Sequence, residues 1–573
     1  MIVGIALLCL WCVVPTTASS YDPSPFGING IKYEWACRLP NGWANAAKSA
    51  NIMKQAGVYW DRDPIPWGAV QPEKDKWDWT CPDAVAKFNR EQGISSIILL
   101  SGCSAWSNNT PPLTDEERAA YAEYVFRMVS RYKDTFKVWE IWNEPNIPFF
   151  WPEPNPEHYT LLLKEAYKAA KRADPTCTIL AGNTSGPDLT FIRDIHEHGG
   201  WDYCDGICIH PYSMAGGPIP QRFDRICRMT RQLVNSMGRP KSVWITEMGW
   251  TAAGEREERN QAIYLVQSYV VALANGLEKL CWFDLDDWEE KWGIIKTTSP
   301  FKPKLAYTAC GLLTKALGSP GKCAEFEGWL DTSKGTACYV FRKSGCERVL
   351  IIWSDDGRAR EVDVRQRSGL GAVDVLGTSV QVSGGRLAVG EVPVIVFGAD
   401  AKRIGKVSRS ANPYLERTGE NLVINGDMEI VHGKQPGWWN TGRFDGTAKD
   451  GTFATCEEGR GGGKCVSISG SGERAAYDAS PIPVYPGRSY RLTAWARTQD
   501  ATGDNRVGIF WYVGNMWTYI SDACSEPLTG TRGWTKLTVT ATAPRDALFA
   551  RVNLISANNT GTVWFDDVSL VEQ

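Results

Sequence analysis

The sequence predicts an α/β protein: a (β/α)8 TIM barrel, then a small β-sandwich, then a C-terminal β jelly-roll domain. Three observations lead there. Between residues 26 and 317, short apolar runs alternate with stretches at helical spacing. After residue 318 the helical period disappears and only strand-like alternation remains. Within the first segment, the apolar runs end in polar residues, as strands do where a barrel opens into its loops. A length of 573 residues accommodates several such domains.

Taken in order, residues 2–14 are apolar but too few to span a bilayer, Pro15 breaks the run, and Thr-Thr-Ala-Ser-Ser follows. Residues 1–20 therefore read as a signal peptide, which predicts a secreted product, extracellular or periplasmic. A basic segment before the run is missing, and an uncleaved anchor is the alternative. No later stretch has 18 apolar residues, so no membrane partner is expected once the signal is removed.

The barrel is assigned to residues 21–317. Its strands are predicted at 26–30, 58–63, 95–101, 137–143, 177–182, 206–210, 243–247 and 279–284. Most are the apolar or β-branched runs that a parallel sheet buries on both faces. Helical spacing is legible at 44–55, 115–132, 156–173, 220–237 and 256–275. The second of these opens on Thr114-Asp115-Glu116-Glu117, a capping-box start with acids in the first turn. An open doubly wound sheet is the rival, but it calls for a Gly-rich phosphate loop after an early strand. Here the turn holds only Gly27 and Gly30.

Residues 318–398 read as the small β-sandwich, with strands at 337–342, 348–353, 361–364 and 392–397. Residues 399–420 are polar, lack a hydrophobic period and read as a linker. Residues 421–573 form the jelly roll, with strands at 490–496, 507–512, 536–541, 549–553 and 562–570.

Composition narrows the function. The chain is 43% apolar and 22% charged, which excludes wholesale disorder. Its net charge of -3 gives no basic footprint for nucleic acid. The 26 Trp outnumber Met and His together, and indole faces can stack on pyranose rings as well as fill cores. Of 17 Cys, Cys9 and Cys12 fall in the signal, which leaves an odd number and at least one unpaired or intermolecular thiol. Short disulfides are conceivable at Cys456–Cys465 or Cys338–Cys346. Cys204-x3-Cys208 leads into an apolar strand without a second pair, so buried small hydrophobes fit it better than a metal site.

Barrel chemistry sits at the C-terminal strand ends. Strand 2 ends in Asp61-Arg62-Asp63, strand 4 in Asn143-Glu144-Pro145, strand 6 in His210-Pro211-Tyr212, strand 7 in Thr246-Glu247-Met248-Gly249-Trp250, and strand 8 carries Trp282-Phe283-Asp284. Two carboxylates thus face each other across the barrel mouth. Glycosidic hydrolysis needs such a pair, one to protonate the leaving oxygen and one to attack or to activate water. A Glu crowded by Trp, Pro and Asn can hold a raised pKa, and one bonded by Arg and Tyr stays ionised.

Trp142-Asn143-Glu144-Pro145 with Thr246-Glu247-Met248-Gly249-Trp250 resembles the glycoside hydrolases of clan A. Arg62, Trp67, Gln71-Pro72 and Trp77-Asp78-Trp79 look like family 39 within it. The resemblance covers about residues 26–397. It implies Glu144 as acid/base, Glu247 as nucleophile, Asn143 on the sugar 2-hydroxyl, Arg62 and Tyr212 holding Glu247 with His210 beside them, and Trp282 as a sugar platform. It also implies retention of anomeric configuration. The alternatives are structural roles: caps or salt-bridge partners for Glu144 and Glu247, a partner of Asp61 or Asp63 for Arg62, and a satisfied strand histidine for His210. Trp106, Trp151, Trp250 and Trp288, with Asp284, Asp286 and Asp287, are candidates for further sugar contacts.

In the last domain, Asn421-Leu422-Val423-Ile424-Asn425-Gly426-Asp427-Met428-Glu429 and Trp564-Phe565-Asp566-Asp567-Val568-Ser569-Leu570 resemble carbohydrate-binding modules of families 4, 9 and 22. That likeness implies a structural calcium, for which Glu429 and Asp566 are the candidate ligands; two solvated acids are the alternative. Trp438, Trp439, Trp511, Tyr512, Trp517 and Tyr519 are candidates for a sugar-binding face. The expected protein is a secreted retaining glycosidase, β-xylosidase-like or related, acting on an oligo- or polysaccharide. No cofactor is expected for the chemistry. Another clan A activity (a family 5-like endoglucanase or a β-galactosidase) and a non-catalytic glycan-binding protein are the competing readings.

Overall fold

A computed structural model describes residues 23–573 except 105–109, 213–215, 319–322, 333–334, 356, 415–418, 433–434 and 444–451. The expected signal peptide and Trp106 lie outside the described residues. The eight predicted strands form one closed, all-parallel barrel. They are β1 (Phe26–Ile28), β2 (Trp60–Pro64), β3 (Ser95–Leu100), β4 (Val138–Ile141), β5 (Thr178–Ser185), β6 (Gly206–His210), β7 (Ser242–Met248) and β8 (Lys279–Trp282). Pairing of β1 with both β2 and β8 closes the ring. The apolar strand interiors are buried on both sides, as a sheet wrapped by helices requires.

Helices Gly42–Gln55, Asp115–Tyr132, Pro156–Ala173, Phe223–Ser236 and Glu255–Ala274 fall where the helical period is legible, and Thr80–Gln92, Leu189–Glu197 and Leu305–Leu317 complete the outer layer. The reciprocal capping box at Thr114 and Glu117 is formed. No helix among the described residues is long and apolar enough to cross a membrane.

The small sandwich pairs a six-stranded sheet with a two-stranded one. The linker expectation is corrected here. Val407–Ser408 hydrogen-bonds to Glu325–Leu330 as the sheet's edge strand, and the Tyr414 hydroxyl accepts from Trp353 Nε1 at 3.0 Å. A polar, unperiodic segment can still pair through its main chain, which composition does not reveal. The short disulfides that the sequence allows are not formed: Cys338, Cys346, Cys456 and Cys465 are free thiols, and among the described residues the bridge joins Cys37 to Cys81.

The C-terminal domain is a two-sheet antiparallel sandwich. It packs on the barrel through helices Leu189–Glu197 and Phe223–Ser236. Arg193 pairs with Asp546 at 2.8 Å, and the buried Arg225 pairs with Glu572 at 2.8 Å. Met516, Leu548 and Phe549 join the same continuous core as the barrel.

Candidate active site

Strand periodicity builds the site in layers. Trp60, Ile97, Val138, Leu180, Cys208, Trp244 and Cys281 form an apolar layer within the barrel. Side chains alternate along a strand, so the residues two positions further on face the same way. These are Arg62, Glu140, His210 and Thr246, and together they form a polar layer above the apolar one.

That layer is a closed hydrogen-bond network. Arg62 Nε donates to Glu140 Oε2 at 2.5 Å, Nη1 to Glu247 Oε1 at 2.5 Å, and Nη2 to Asn143 Oδ1 at 2.8 Å. Thr246 Oγ1 donates to the other Glu140 oxygen at 2.6 Å and meets His210 Nε2 at 3.0 Å. His210 Nδ1 lies 2.9 Å from Glu144 Oε1. The Tyr212 hydroxyl donates to Glu247 Oε2 at 2.9 Å. Arg62 thus takes neither Asp61 nor Asp63 as partner. Asp61 accepts from the Gly30 and Ile31 amides, and Asp63 from the Tyr33 amide.

Two irregularities deliver the carboxylates. Ile245 pairs with Leu280 but Met248 with Trp282, so β7 carries one extra residue. The bulge lets consecutive side chains, Thr246 and Glu247, both reach the Arg62–Glu140 network. At the end of β4, Trp142 and Glu144 adopt left-handed backbone angles, φ 64° and 40°. Such angles cost about 1–3 kcal/mol each in a bulky residue and persist only where neighbours enforce them. Asn183 on β5 enforces them. Its Nδ2 donates to the Ile141 and Trp142 carbonyls at 2.9 and 2.7 Å, and its own carbonyl accepts from the Glu144 amide at 2.9 Å.

The electrostatics separate the two carboxylates' surroundings. Burial opposes a charge on Glu247, but His210, Arg62 and the Tyr212 hydroxyl outweigh it and hold the carboxyl below its ordinary range. Burial likewise opposes the Arg62 charge, and Glu140 and Glu247 more than restore it. One oxygen each of Glu144 and Glu247 and one His210 nitrogen lie within 4.8 Å of one another. Three such groups have metal-ligand spacing, but the Arg62 guanidinium and the Tyr212 hydroxyl already engage both oxygens of Glu247.

Beside the pair opens a cavity of about 380 Å³, lined by Arg62, Asn143, Glu247, Lys32, Asp284 and several aromatic rings. Trp282 is not among them. It is fully buried and packs against Trp250, 5.7 Å between centroids. The wall at this point is Phe283, the next residue, held edge-on by Tyr212 and Trp292. This corrects the platform expectation: β8 ends at Trp282, and strand alternation turns that side chain away from the cavity. Trp35 and Trp288 also line the cavity, whereas Trp151 and Trp250 are core. Asp284 pairs with Lys32 at 3.1 Å, and burial raises its carboxyl to about 6. Asp287 is committed to Lys304 at 2.6 Å.

Sequence reasoning gives Glu140 and Thr246 no role. The signal for Glu140 is a lone charge inside a fully buried strand, Val138–Ile141, which demands a buried counter-charge.

In the C-terminal domain, Glu429 and Asp566 meet at one loop. Glu429 Oε1 accepts from the Lys464 amide at 2.8 Å, and Asp566 Oδ2 from the Arg460 amide at 2.7 Å. Burial chiefly, with the negative charges of Asp567 and Glu429, pushes the Asp566 carboxyl up to about 6. Carboxylate oxygens are the donor type that calcium takes, and Arg460 pairs with the adjacent Asp567 at 2.5 Å. Trp439 and Trp511 are core, while Tyr519 and Trp517 are exposed.

No protein-family model matches the chain. Over 229 residues, 34% of the chain, it is 21% identical to an endo-1,4-beta-xylanase/feruloyl esterase of Xylanibacter ruminicola. The match spans 31% of that protein's length. Among solved structures, a family 39 glycoside hydrolase from the gut symbiont Bacteroides cellulosilyticus WH2 superposes with a TM-score of 0.55 at 23% identity, covering 65% of this chain and 80% of that one. The family 30 subfamily 8 xylanase Xyn30A of Clostridium acetobutylicum gives 0.48 at 15% identity, covering 67% and 98%. What this chain shares with the family 39 structure is the fold, a TIM barrel with antiparallel sheets appended.

Proposed function

We propose that the protein is a retaining glycoside hydrolase that cleaves β-linked bonds of an oligo- or polysaccharide by double displacement. The observation that carries this reading is the approach of Glu144 and Glu247 within 4.8 Å, with only Glu247 gripped by a guanidinium. Retaining enzymes hold their carboxyl groups about 5–5.5 Å apart, and inverting enzymes leave room for a water at roughly 6.5–9.5 Å.

In the first step the Glu144 carboxylic acid gives its proton to the glycosidic oxygen while Glu247 attacks the anomeric carbon. The bond to the leaving group breaks and a covalent glycosyl-enzyme forms. In the second step Glu144, now a carboxylate, takes a proton from water, whose oxygen displaces Glu247 from the anomeric carbon. Arg62 and Tyr212 keep Glu247 ionised between turnovers. Asn143 uses its carbonyl on Arg62, so its N–H2 group remains to donate to a sugar hydroxyl. His210 orients Glu144.

The name of the Xylanibacter relative makes β-1,4-xylan the first substrate to try. Export, as the N-terminal segment suggests, is supported by the Cys37–Cys81 disulfide, since such bonds persist in oxidising compartments. The C-terminal domain is proposed to bind glycan, with a calcium ion held by Glu429 and Asp566. Its outer sheet face carries Phe510, Tyr512 and Tyr519 beside buried, unpaired oxygens of Asp478 and Asn553.

The test is hydrolysis of aryl β-glycosides and plant and microbial polysaccharides by the purified protein, with proton NMR of the first product formed. Release of the β-anomer from a β-linked substrate is expected. An inverted product would end the double-displacement reading, and absence of hydrolysis on every substrate would favour the glycan-binding alternative.

A further inference from the structure

The C-terminal sandwich touches the barrel beside the carboxylate that faces the leaving group. Asn146, two residues beyond Glu144, donates to the Ser185 carbonyl at 2.9 Å and to Asp188 Oδ2 at 3.1 Å. Gly186, next along, donates its amide to the His210 carbonyl at 3.0 Å. Against this same segment lies a turn of the C-terminal domain, residues 513–518. A Cβ added at Gly186 would sit 2.7 Å from the Gly514 carbonyl, and one added at Gly514 would sit 2.3 Å from Asp188 Cα. The two backbones are therefore in direct contact, which only glycine allows at both positions. The sandwich reaches the strand-end face of the barrel, one residue layer from His210 and Asn146.

That turn presents an aromatic ring outward and holds it firmly. Asn515 Oδ1 accepts from the amides of Trp517 and Thr518 at 3.0 and 2.9 Å, and its Nδ2 donates to Thr518 Oγ1 at 2.9 Å. Met516 is buried in the barrel's core cluster. Arg551 bonds the Met516 carbonyl at 3.3 Å and places its guanidinium 5.8 Å from the Trp517 ring. Trp517 nevertheless remains 59% exposed. A side chain this large and apolar, anchored through its own amide and its two neighbours' main chain and left open, is arranged as a platform for a flat partner. On the barrel side, the loop after β4 offers a second outward ring, Phe149, 84% exposed.

We propose that the 513–518 turn is part of the substrate cleft on the leaving-group side, where Trp517 stacks on a sugar of the departing oligosaccharide. The inference rests on the proposed hydrolase reading, because Glu144 defines the leaving-group side by protonating that oxygen. It makes the C-terminal domain a contributor to substrate choice at the catalytic cleft itself. Substrates with several sugars beyond the scissile bond gain a contact that a small aryl leaving group cannot make.

The experiment compares the parent protein with Trp517→Ala and Trp517→Phe on two probes, 4-nitrophenyl β-xyloside and xylohexaose, with the glucoside and cellohexaose series run in parallel. The readout is the ratio of kcat/KM for the hexasaccharide to that for the aryl glycoside. One lost stacking contact predicts about a tenfold fall in this ratio for Trp517→Ala, with partial recovery in Trp517→Phe. A ratio within about twofold of the parent's in both variants would overturn the platform. If the parent hydrolyses neither probe in either series, the hydrolase reading is judged separately by the wider substrate screen. Calorimetric binding of the hexasaccharide then decides the turn's role separately. Weaker binding by Trp517→Ala supports the platform, and unchanged binding removes it.

Discussion

The ends of β4 and β7 each supply one carboxylate to the same cluster at the barrel mouth, yet they are built in opposite ways. At β7 the backbone strain is small and the side-chain grip is large. A bulge turns Glu247 inward, and a guanidinium and a phenol hold its two oxygens. At β4 the grip is small and the backbone is unusual. Glu144 has a left-handed φ of 40°, and among the described residues its carboxylate meets His210 alone at hydrogen-bond distance. The difference teaches how one barrel mouth separates two chemically identical groups. Fixed positive charge and hydrogen-bond donors hold one carboxylate ionised, as the proposed nucleophile requires. The other is fixed through its main chain, by Asn183.

The comparison breaks most sharply at Glu247. Glu247→Ala removes the proposed nucleophile, and kcat on every glycoside should fall by about four orders of magnitude. Azide should form a β-glycosyl azide from no substrate of this variant. Hydrolysis surviving at the parent's rate would mean that the gripped carboxylate is only a counter-charge for Arg62. Glu144→Ala should cost less, roughly 10²–10⁴-fold, and unequally. Substrates with poor leaving groups need the proton and lose most, while activated aryl glycosides lose little in the first step. Added azide should partly restore turnover on the activated substrates. An equal loss on all substrates, without rescue, would erase the functional difference between the two strand ends.

The same contrast explains what was legible in the sequence. The barrel strands show because a parallel sheet buried on both faces needs continuous apolar runs, and the two carboxylates show because they interrupt those runs at strand ends. Glu140 stays hidden because one charge inside a strand does not name its partner 78 residues away, Arg62. The bulges in β5 and β7 are invisible to a period-2 reading, which assigns Thr246 and Glu247 to opposite faces. The expected cavity ring is off by one residue: Phe283 lines the cavity and Trp282 does not, because the strand's end decides which side chain faces it. Helix Leu189–Glu197 escapes notice because nine residues give only about two and a half turns of periodicity. The edge strand Val407–Ser408 and the Cys37–Cys81 bridge depend on contacts distant in sequence, which composition cannot report.

A smaller change sharpens the comparison without abolishing either carboxylate. Tyr212→Phe removes the hydroxyl that donates to Glu247 Oε2 and leaves Arg62 in place. One hydrogen bond to a charged group is worth about 1.5–3 kcal/mol, so kcat/KM should drop roughly ten- to a hundredfold. The pH profile should move with it. Burial raises the Glu247 carboxyl while His210, Arg62 and Tyr212 lower it, with a net value below the ordinary 4.5. Attack needs the ionised form, so the acid limb of kcat/KM in the free enzyme lies below that value. Losing one of the lowering partners shifts the limb upward, and activity at pH 4 should fall more than activity at pH 7. Folding stability carries the same sign. A depressed carboxyl stabilises the fold above the unfolded group's pKa, and that contribution fades as pH falls through the folded value. The variant should therefore lose less stability on acidification than the parent. An acid limb that stays where it was would show that Arg62 and His210 alone hold Glu247 ionised, and that the phenol only positions it.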